Sequence, residues 1–348
     1  MDVQPYEALL LVSFGGPEHP DDVIPFLENV TSGRGIPRER LAEVGEHYQL
    51  FGGKSPINDL NRELLDAIHK DFADRAIDLP VYWGNRNWDP YLRAAAREMA
   101  ADGITRAASF VTSAYSSYSG CRQYREDLYD ATTGLNIELD RLRHYFNHPG
   151  FVGPFIEATG AALEAAPDGT HVVFVTHSIP HGMNNASGGP DQQAYERQHQ
   201  SVAQLVATEA GAEAWSLAYC SRSGSPHVPW LEPDINDHLE MLAEDGVTSV
   251  IAVPIGFISD HMEVIYDLDT EAMATAKRLD MRFDRVDTPG AHPSFVTMIG
   301  DLLVERAGAE RGEAPDRIAL GEFPASHDRC PIDCCLNARV SLPTIGGA

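Results

Sequence analysis

The sequence predicts an α/β protein built from two doubly wound, Rossmann-like domains with parallel sheets and the active cleft between them. Three observations carry this. Short apolar runs of strand length alternate with helix-length amphipathic segments along the chain, the pattern of βαβ units. The two halves echo each other: "GITRAASFVTSAYSS" (103–117) parallels "GVTSVIAVPIGFISD" (246–260), and "VYWGNRNWDPYL" (81–92) is faintly matched by "AYCSRSGSPHVPWLEP" (218–233). The length, 348 residues, suits two ordinary domains. The boundary falls near "FNHPGFVGP", giving an N-terminal domain over 1–150 and a second over 151–317. The tail, 318–348, is too short for a domain and is expected to complete the first one.

Each element has its own warrant. "ALLLVSF" (8–14) is a continuous apolar run, as expected of a strand covered on both faces. "GGPEHPDDVIPFLENV" follows as a turn and a helix. "LPVYWGNR" (79–86) and "RAASFVTSAY" (106–115) are the next strands, with helical periodicity over 58–75 and 90–101. In the second half "HVVFVTHS" (171–178), "AWSLAYCS" (214–221) and "SVIAVPIGF" (249–257) are strands, separated by helical segments over 191–210 and 235–245. Ligands of such folds sit at the C-terminal ends of the strands.

Composition narrows the function. With 43% hydrophobic and 22% charged residues the chain is globular, and its formal net charge of −26 argues against nucleic acid or an anionic membrane as partner. A cation would be attracted. No apolar run approaches the ~20 residues that span a bilayer. The opening "MDVQPYEALLL" lacks the basic n-region of a secretory signal, so a cytoplasmic protein is expected. Five cysteines in a reducing compartment are unlikely to pair as disulfides. Cys330, Cys334 and Cys335 crowd into "RCPIDCCLN", which points to metal or redox chemistry, whereas Cys220 lies in a strand as a small hydrophobe.

Two segments could carry chemistry. "SDHMEVIYDLDTEA" (259–272) holds Asp260, Glu263, Asp267, Asp269 and Glu271, with no basic residue before Lys277. On a helix Glu263, Asp267 and Glu271 form one stripe, with Asp260 close to its line, and a π-type turn would stack them further. The ordinary meaning of such a stripe is a solvated face. Against it, surface helices mix signs, and oxygen ligands along one face suit hydrated divalent cations. The second segment is "FVTHSIPHGMNN" (174–185), where His177 ends a strand. A lone histidine there is ordinarily a hydrogen-bonded loop residue. Because Glu263 also follows a strand of the same half, the two can face one cleft, where an imidazole opposite a carboxylate binds metal or moves protons. "SFGGPE" (13–18) lacks the G-x-G-x-x-G pattern and is a weak nucleotide signal.

Taken together, "LLVSFGGPE", "FLENV", "GGKSPIN", "VYWGNRNWDP", "THSIP", "VPWLEPDI" and "VPIGFISDHMEVIYDLD" resemble the ferrochelatases, the class II chelatases that insert ferrous iron into a porphyrin. The resemblance runs nearly end to end. It implies that His177 and Glu263 face each other across a porphyrin cleft, with Asp267 and Glu271 as the outer part of a path for Fe2+ or protons. Phe14, Trp230, Phe257 and Ile258 then become candidate porphyrin walls, each with the alternative of ordinary core. Ser55, Tyr124 and Arg34 become candidate donors to the propionates. The chain departs from the Gram-positive pattern at Phe14, where that pattern has a tyrosine, and at Thr31-Ser32, where it has an arginine pair. A subgroup of the family carries a [2Fe–2S] cluster. The resemblance assigns it to Cys121 with Cys330, Cys334 and Cys335, although the spacing C-x3-C-C is tighter than the family's. Thiolate chemistry alone leaves a structural zinc site with the same four ligands open.

In the family that the chain resembles, protoporphyrin IX enzymes carry an apolar lip near the N-terminus; segment 33–50 is charged and polar here, so the resemblance implies coproporphyrin III as substrate, with coproheme passed on to a decarboxylase. A cobalt or nickel chelatase for another tetrapyrrole and a non-catalytic porphyrin carrier remain alternatives. A two-lobed solute-binding protein is disfavoured by the missing export signal. A monomer is expected, since no long apolar helix face stands out.

Overall fold

A computed structural model describes residues 1–33, 35–223, 227–337 and 340–346. The first half runs β1 (Ala8–Ser13), α1 (Val23–Val30), α2 (Arg38–Gln49), α3 (Ile57–Asp74), β2 (Val81–Asn85), α4 (Leu92–Ala101), β3 (Arg106–Val111), α5 (Gln123–Thr132) and β4 (Glu138–Arg141). The second runs α6 (Pro149–Glu164), β5 (His171–His177), α7 (His181–Asn185), α8 (Ala194–Ala210), β6 (Trp215–Cys220), α9 (Ile235–Glu244), β7 (Ser249–Val253), α10 (Met262–Tyr266), α11 (Met273–Arg278), β8 (Arg282–Arg285) and α12 (Pro293–Glu310). π-helical turns cover Tyr118–Arg122 and Asp267–Ala272.

The strands form two four-stranded sheets in the orders β2-β1-β3-β4 and β6-β5-β7-β8, and every strand pair is parallel. The repeat read from sequence is therefore a repeat of topology. In each sheet the chain steps to opposite sides of its first strand, so a switch point opens beside β1 in one half and β5 in the other. Ser13–Phe14 and His177 occupy equivalent positions at those two points.

Burial explains the strand sequences. All six residues of β1 and all five of β7 are buried, as required of parallel strands with helices on both faces. One continuous core joins the halves, from Leu9, Leu11 and Phe110 to Phe174, Ile251 and Val253. Helix α12 packs on both α3 and α6, with Arg75 paired to Asp301. The tail runs back over the first half: Arg125 Nε donates to Ile345 O, and Ile345 N donates to Arg125 O.

Two details differ from the sequence expectations. The strands expected over 106–115 and 249–257 end at Val111 and Val253, because the chain turns there to build the cleft rim. β4 and β8 had not been expected: both are short, charged edge strands without an apolar run. Among the described residues no helix is long and apolar enough to cross a membrane.

Candidate active site

His177 closes β5, and Glu263 lies in the first turn of α10, reached from β7 through a tight loop. Gly256 permits that loop: a Cβ there would lie 2.1 Å from Thr176 Oγ1, so the rim packs directly on β5. The result brings His177 Nε2 to 3.6 Å from Glu263 Oε2. His177 Nδ1 is bonded to the Ser178 carbonyl, so in the neutral ring Nδ1 carries the proton and Nε2 presents a lone pair to the carboxylate side. Tyr195 Oη donates to the His177 carbonyl at 2.7 Å. His261 caps α10 by accepting the Glu263 N–H through Nδ1.

The electrostatics follow from this geometry. Burial works to raise the Glu263 pKa, but the imidazoles of His177 and His261 outweigh it and hold the carboxyl at about 2. Burial works to lower His177, and the Glu263 carboxylate reverses this, so the imidazole sits above its ordinary value. Half of the Glu263 side chain is open to the cleft, so water screens the pair. Further out, burial pushes the Asp267 carboxyl up to about 7; Glu263 and Glu271 add to the rise, and the Ser221 hydroxyl, which donates to Asp267, opposes it. Tyr266 bonds to Glu271 at the exposed end of the row. Glu263, Asp267 and Glu271 are thus graded from a firm anion beside His177 to a neutralisable acid and then to solvent. The π-turn begins at Asp267 and runs to Ala272, across the outer part of the row.

Asp260 does not join this row, which corrects its placement near the stripe. Arg285, at the end of β8, binds Asp260 Oδ2 at 3.0 Å and Asp269 Oδ1 at 2.6 Å. Two of the five acids are therefore compensated by a residue that sequence reasoning passed over.

The proposed walls divide. Phe14 is 38% exposed, and its ring stands edge-on to Phe26, which in turn packs edge-on against Tyr48 and Trp88. Helix α2 leans across from this cluster, and His47 stacks on Tyr266 at 3.8 Å, so the first half roofs the acidic row of the second. Trp230 is 9% exposed, joined to Pro180 by a β-bridge, with its buried indole N–H unpartnered among the described residues. Phe257 and Ile258 are buried in the core clusters, and Phe257 also packs edge-on against His261. Of the propionate donors, Ser55 is buried behind the Gly15–Gly16 turn with its hydroxyl towards Ile57 N, and Tyr124 is buried beneath Arg86. Arg34 lies outside the described residues. A cavity of about 400 Å³ opens beside Ser178, lined by Tyr219, Arg222, Leu231 and Asp234 among others.

A family model described as "Ferrochelatase" matches residues 6–307. The chain belongs to the ferrochelatase family. It is 55% identical to the coproporphyrin III ferrochelatase of Streptomyces coelicolor, over all of this chain and 98% of that one. Identity to the Streptomyces griseus protein of the same name is also 55%, covering 100% and 97%. The ferrochelatase of Rhodopirellula baltica is 48% identical, covering 99% and 98%. Among solved structures, SirB from Bacillus subtilis with Fe3+ superposes with a TM-score of 0.56 at 12% identity, over 88% of this chain and 98% of that one, a likeness of fold.

This ferrochelatase-family chain has a second cluster of chemistry away from the cleft. Cys121, in the Tyr118–Arg122 π-turn, meets Cys330, Cys334 and Cys335 of the tail, and all four are buried together. Cys334 Sγ and Cys335 Sγ are 3.6 Å apart. The adjacent pair is accommodated by Cys335 adopting φ +54, the left-handed region. Donors point at the sulfurs: Arg141 Nη1 at 3.0 Å from Cys121 and Gly188 N–H at 3.3 Å from Cys335. Donation from Cys330 and Cys335 holds the Cys334 thiol below the usual range. His327 lies with Cys330 and Cys334 inside 4.8 Å, a possible further ligand that the sequence reading missed. A histidine three residues before Cys330 was the available signal.

Proposed function

We propose that this protein inserts Fe2+ into coproporphyrin III to give coproheme. The observation that carries the reading is His177 Nε2 facing Glu263 Oε2 at 3.6 Å at the switch-point end of β5. The names of the Streptomyces relatives supply the substrate. Helix α2, which leans over the cleft, is mostly charged and polar (RERLAEVGEHYQ), as suits a porphyrin with four carboxylates.

The residues account for the chemistry. Metalation removes two pyrrole N–H protons while the cation sheds its water shell. Glu271 and Asp267 offer oxygen ligands to hydrated Fe2+, and Asp267 can exchange a proton near neutrality as the cation passes. Glu263, anionic at every working pH, draws the cation or a proton inward. His177, in its neutral form, offers the Nε2 lone pair to a pyrrole proton, the Glu263 carboxylate strengthens it as a base, and the Ser178 carbonyl and Tyr195 hydroxyl fix its ring and backbone. Phe14 supplies an apolar surface on the opposite side and cannot ligate iron.

The four-cysteine centre suits a [2Fe–2S] cluster: four converging sulfurs supply the ligand count, and Arg141 and Gly188 donate to sulfur as they would to thiolates. Cys121, Cys330, Cys334 and Cys335 would hold it, and its contribution when bound is a cross-link between the tail and the first half. A zinc site on the same cysteines, or with His327, is separated from it by iron and sulfide analysis and by visible absorption.

The test of function is an anaerobic absorbance assay with Fe2+ and either coproporphyrin III or protoporphyrin IX, beside His177→Ala. Turnover of coproporphyrin III that collapses in the variant supports enzyme and site together. Faster turnover of protoporphyrin IX overturns the substrate. Stoichiometric porphyrin binding without turnover in both proteins makes the chain a carrier, and preference for Co2+ or Ni2+ makes it a different chelatase. A subunit that sediments as a monomer and a transient complex with a coproheme decarboxylase are further parts of the proposal.

A further inference from the structure

The cysteine centre and the metal-insertion cleft grip one and the same segment. From the tail side, Gly188 N–H donates to Cys335 Sγ. Its neighbour Ser187 is fully buried, accepts the Tyr195 N–H at 2.8 Å and donates to Asn184 O at 2.6 Å. Gly188 has φ +76, and a Cβ there would lie 2.6 Å from the Ala194 side chain, so this loop closes tightly onto the start of α8. From the other side, the residues leading to Cys121 hold α8 itself. Ser116 N donates to Gln198 Oε1 at 2.8 Å, Gln198 Nε2 donates to Ser116 Oγ at 3.0 Å, and the Tyr115 ring stacks on His199 at 3.5 Å. The first turn of α8 then reaches the cleft. Tyr195 Oη donates to the His177 carbonyl and lies 3.0 Å from Thr176 Oγ1, which is also bonded to His199 Nε2. All these groups are buried or half-buried, so water does not replace a lost bond.

We propose that Tyr195 is a positioning residue for His177, and that the cysteine centre acts on metal insertion through it by clamping residues 178–199 from two sides. The inference rests on the reading of the cysteine centre as metal-bearing. It goes beyond that reading, since a cross-link between the tail and the first half alone does not reach the second half. Loss of the metal frees the Cys335 sulfur, releases Gly188 and Ser187, and lets the Tyr195 hydroxyl drift from the end of β5.

The test compares the holoenzyme with Tyr195→Phe, using Fe2+ and coproporphyrin III. The variant keeps the ring and loses one hydroxyl. Its kcat is expected to fall about five- to tenfold, with the porphyrin KM within about twofold and with the metal content and visible spectrum of the wild type. Stripping the centre anaerobically is expected to speed amide exchange over 183–193 and to lower the wild-type kcat, but to lower that of Tyr195→Phe by less than about twofold, because the link is already cut. An unchanged kcat in Tyr195→Phe overturns the positioning role. Losses that multiply, or unchanged exchange over 183–193, overturn the coupling. If stripping unfolds the chain, Gln198→Ala takes its place: it cuts the second grip in the holoenzyme and is expected to be equally non-multiplicative with Tyr195→Phe. Protein that binds no metal at the cysteines overturns the metal-bearing reading and with it the role of the centre, whereas the Tyr195 arm fails only on kinetics.

Discussion

Asp267→Asn separates what the acidic row does for the reaction from what it costs the fold. The carboxyl is held at about 7 against an ordinary 3.8, chiefly by burial. Each unit is worth about 1.4 kcal/mol, so the upper bound on the penalty is roughly 4 kcal/mol; water in the neighbouring cleft reduces the expectation to about 1–2 kcal/mol. The sign follows from linkage. Unfolded Asp ionises near pH 4, while the native state keeps the proton up to about 7, so the penalty grows between those values and is complete above them. Asparagine carries no charge and can still accept the Ser221 hydroxyl. Asp267→Asn is therefore expected to melt about 2–4 °C above the wild type at pH 8 and together with it at pH 4.5. The same variant is expected to raise the KM for Fe2+ and leave the porphyrin KM alone. Thermal unfolding at the two pH values and steady-state kinetics read both effects. An offset in melting temperature that is the same at both pH values would refute the titration argument, and an unchanged Fe2+ KM would refute the path.

Other perturbations test the remaining interactions. Glu263→Gln is expected to lower kcat about 100-fold or more. It also removes the carboxylate that raises His177, so the acid limb of the kcat profile moves to lower pH; a limb that stays in place would mean another group is being titrated. Arg285→Met leaves the half-buried Asp260 and Asp269 facing each other without a cation and should cost about 2–3 kcal/mol in denaturant unfolding. A loss near zero would show that these pairs behave as surface pairs. Cys334→Ser should abolish binding of iron and sulfide and speed amide exchange across 330–337; full iron content in that variant would move the centre to other ligands.

The sequence by itself determined the alternation of strands and helices, the doubling of the fold and the positions of His177 and Glu263. Each is a property of a short window. Fully buried parallel strands such as β1 and β7 are apolar along nearly their whole length, and a residue that ends such a strand points to the ligand side wherever the domain sits. The stripe of acids was legible for the same reason, since residues four apart share one face of a helix. Family membership came from motifs that are themselves local. What only the tertiary structure decided are meetings between windows. Arg285 neutralises two of the acids from an edge strand whose residues "RFDR" carry no strand signal. Ser55, Tyr124 and Phe257 are buried, and which neighbours bury them is set by segments distant in sequence. The cysteines were readable as a set, but not their contacts with Arg141, His327 and the Gly188 backbone, because these depend on where the tail crosses the two halves. Periodicity records which face of an element is buried; it does not record which distant element buries it, and charge compensation and coupling between sites are settled by that second fact.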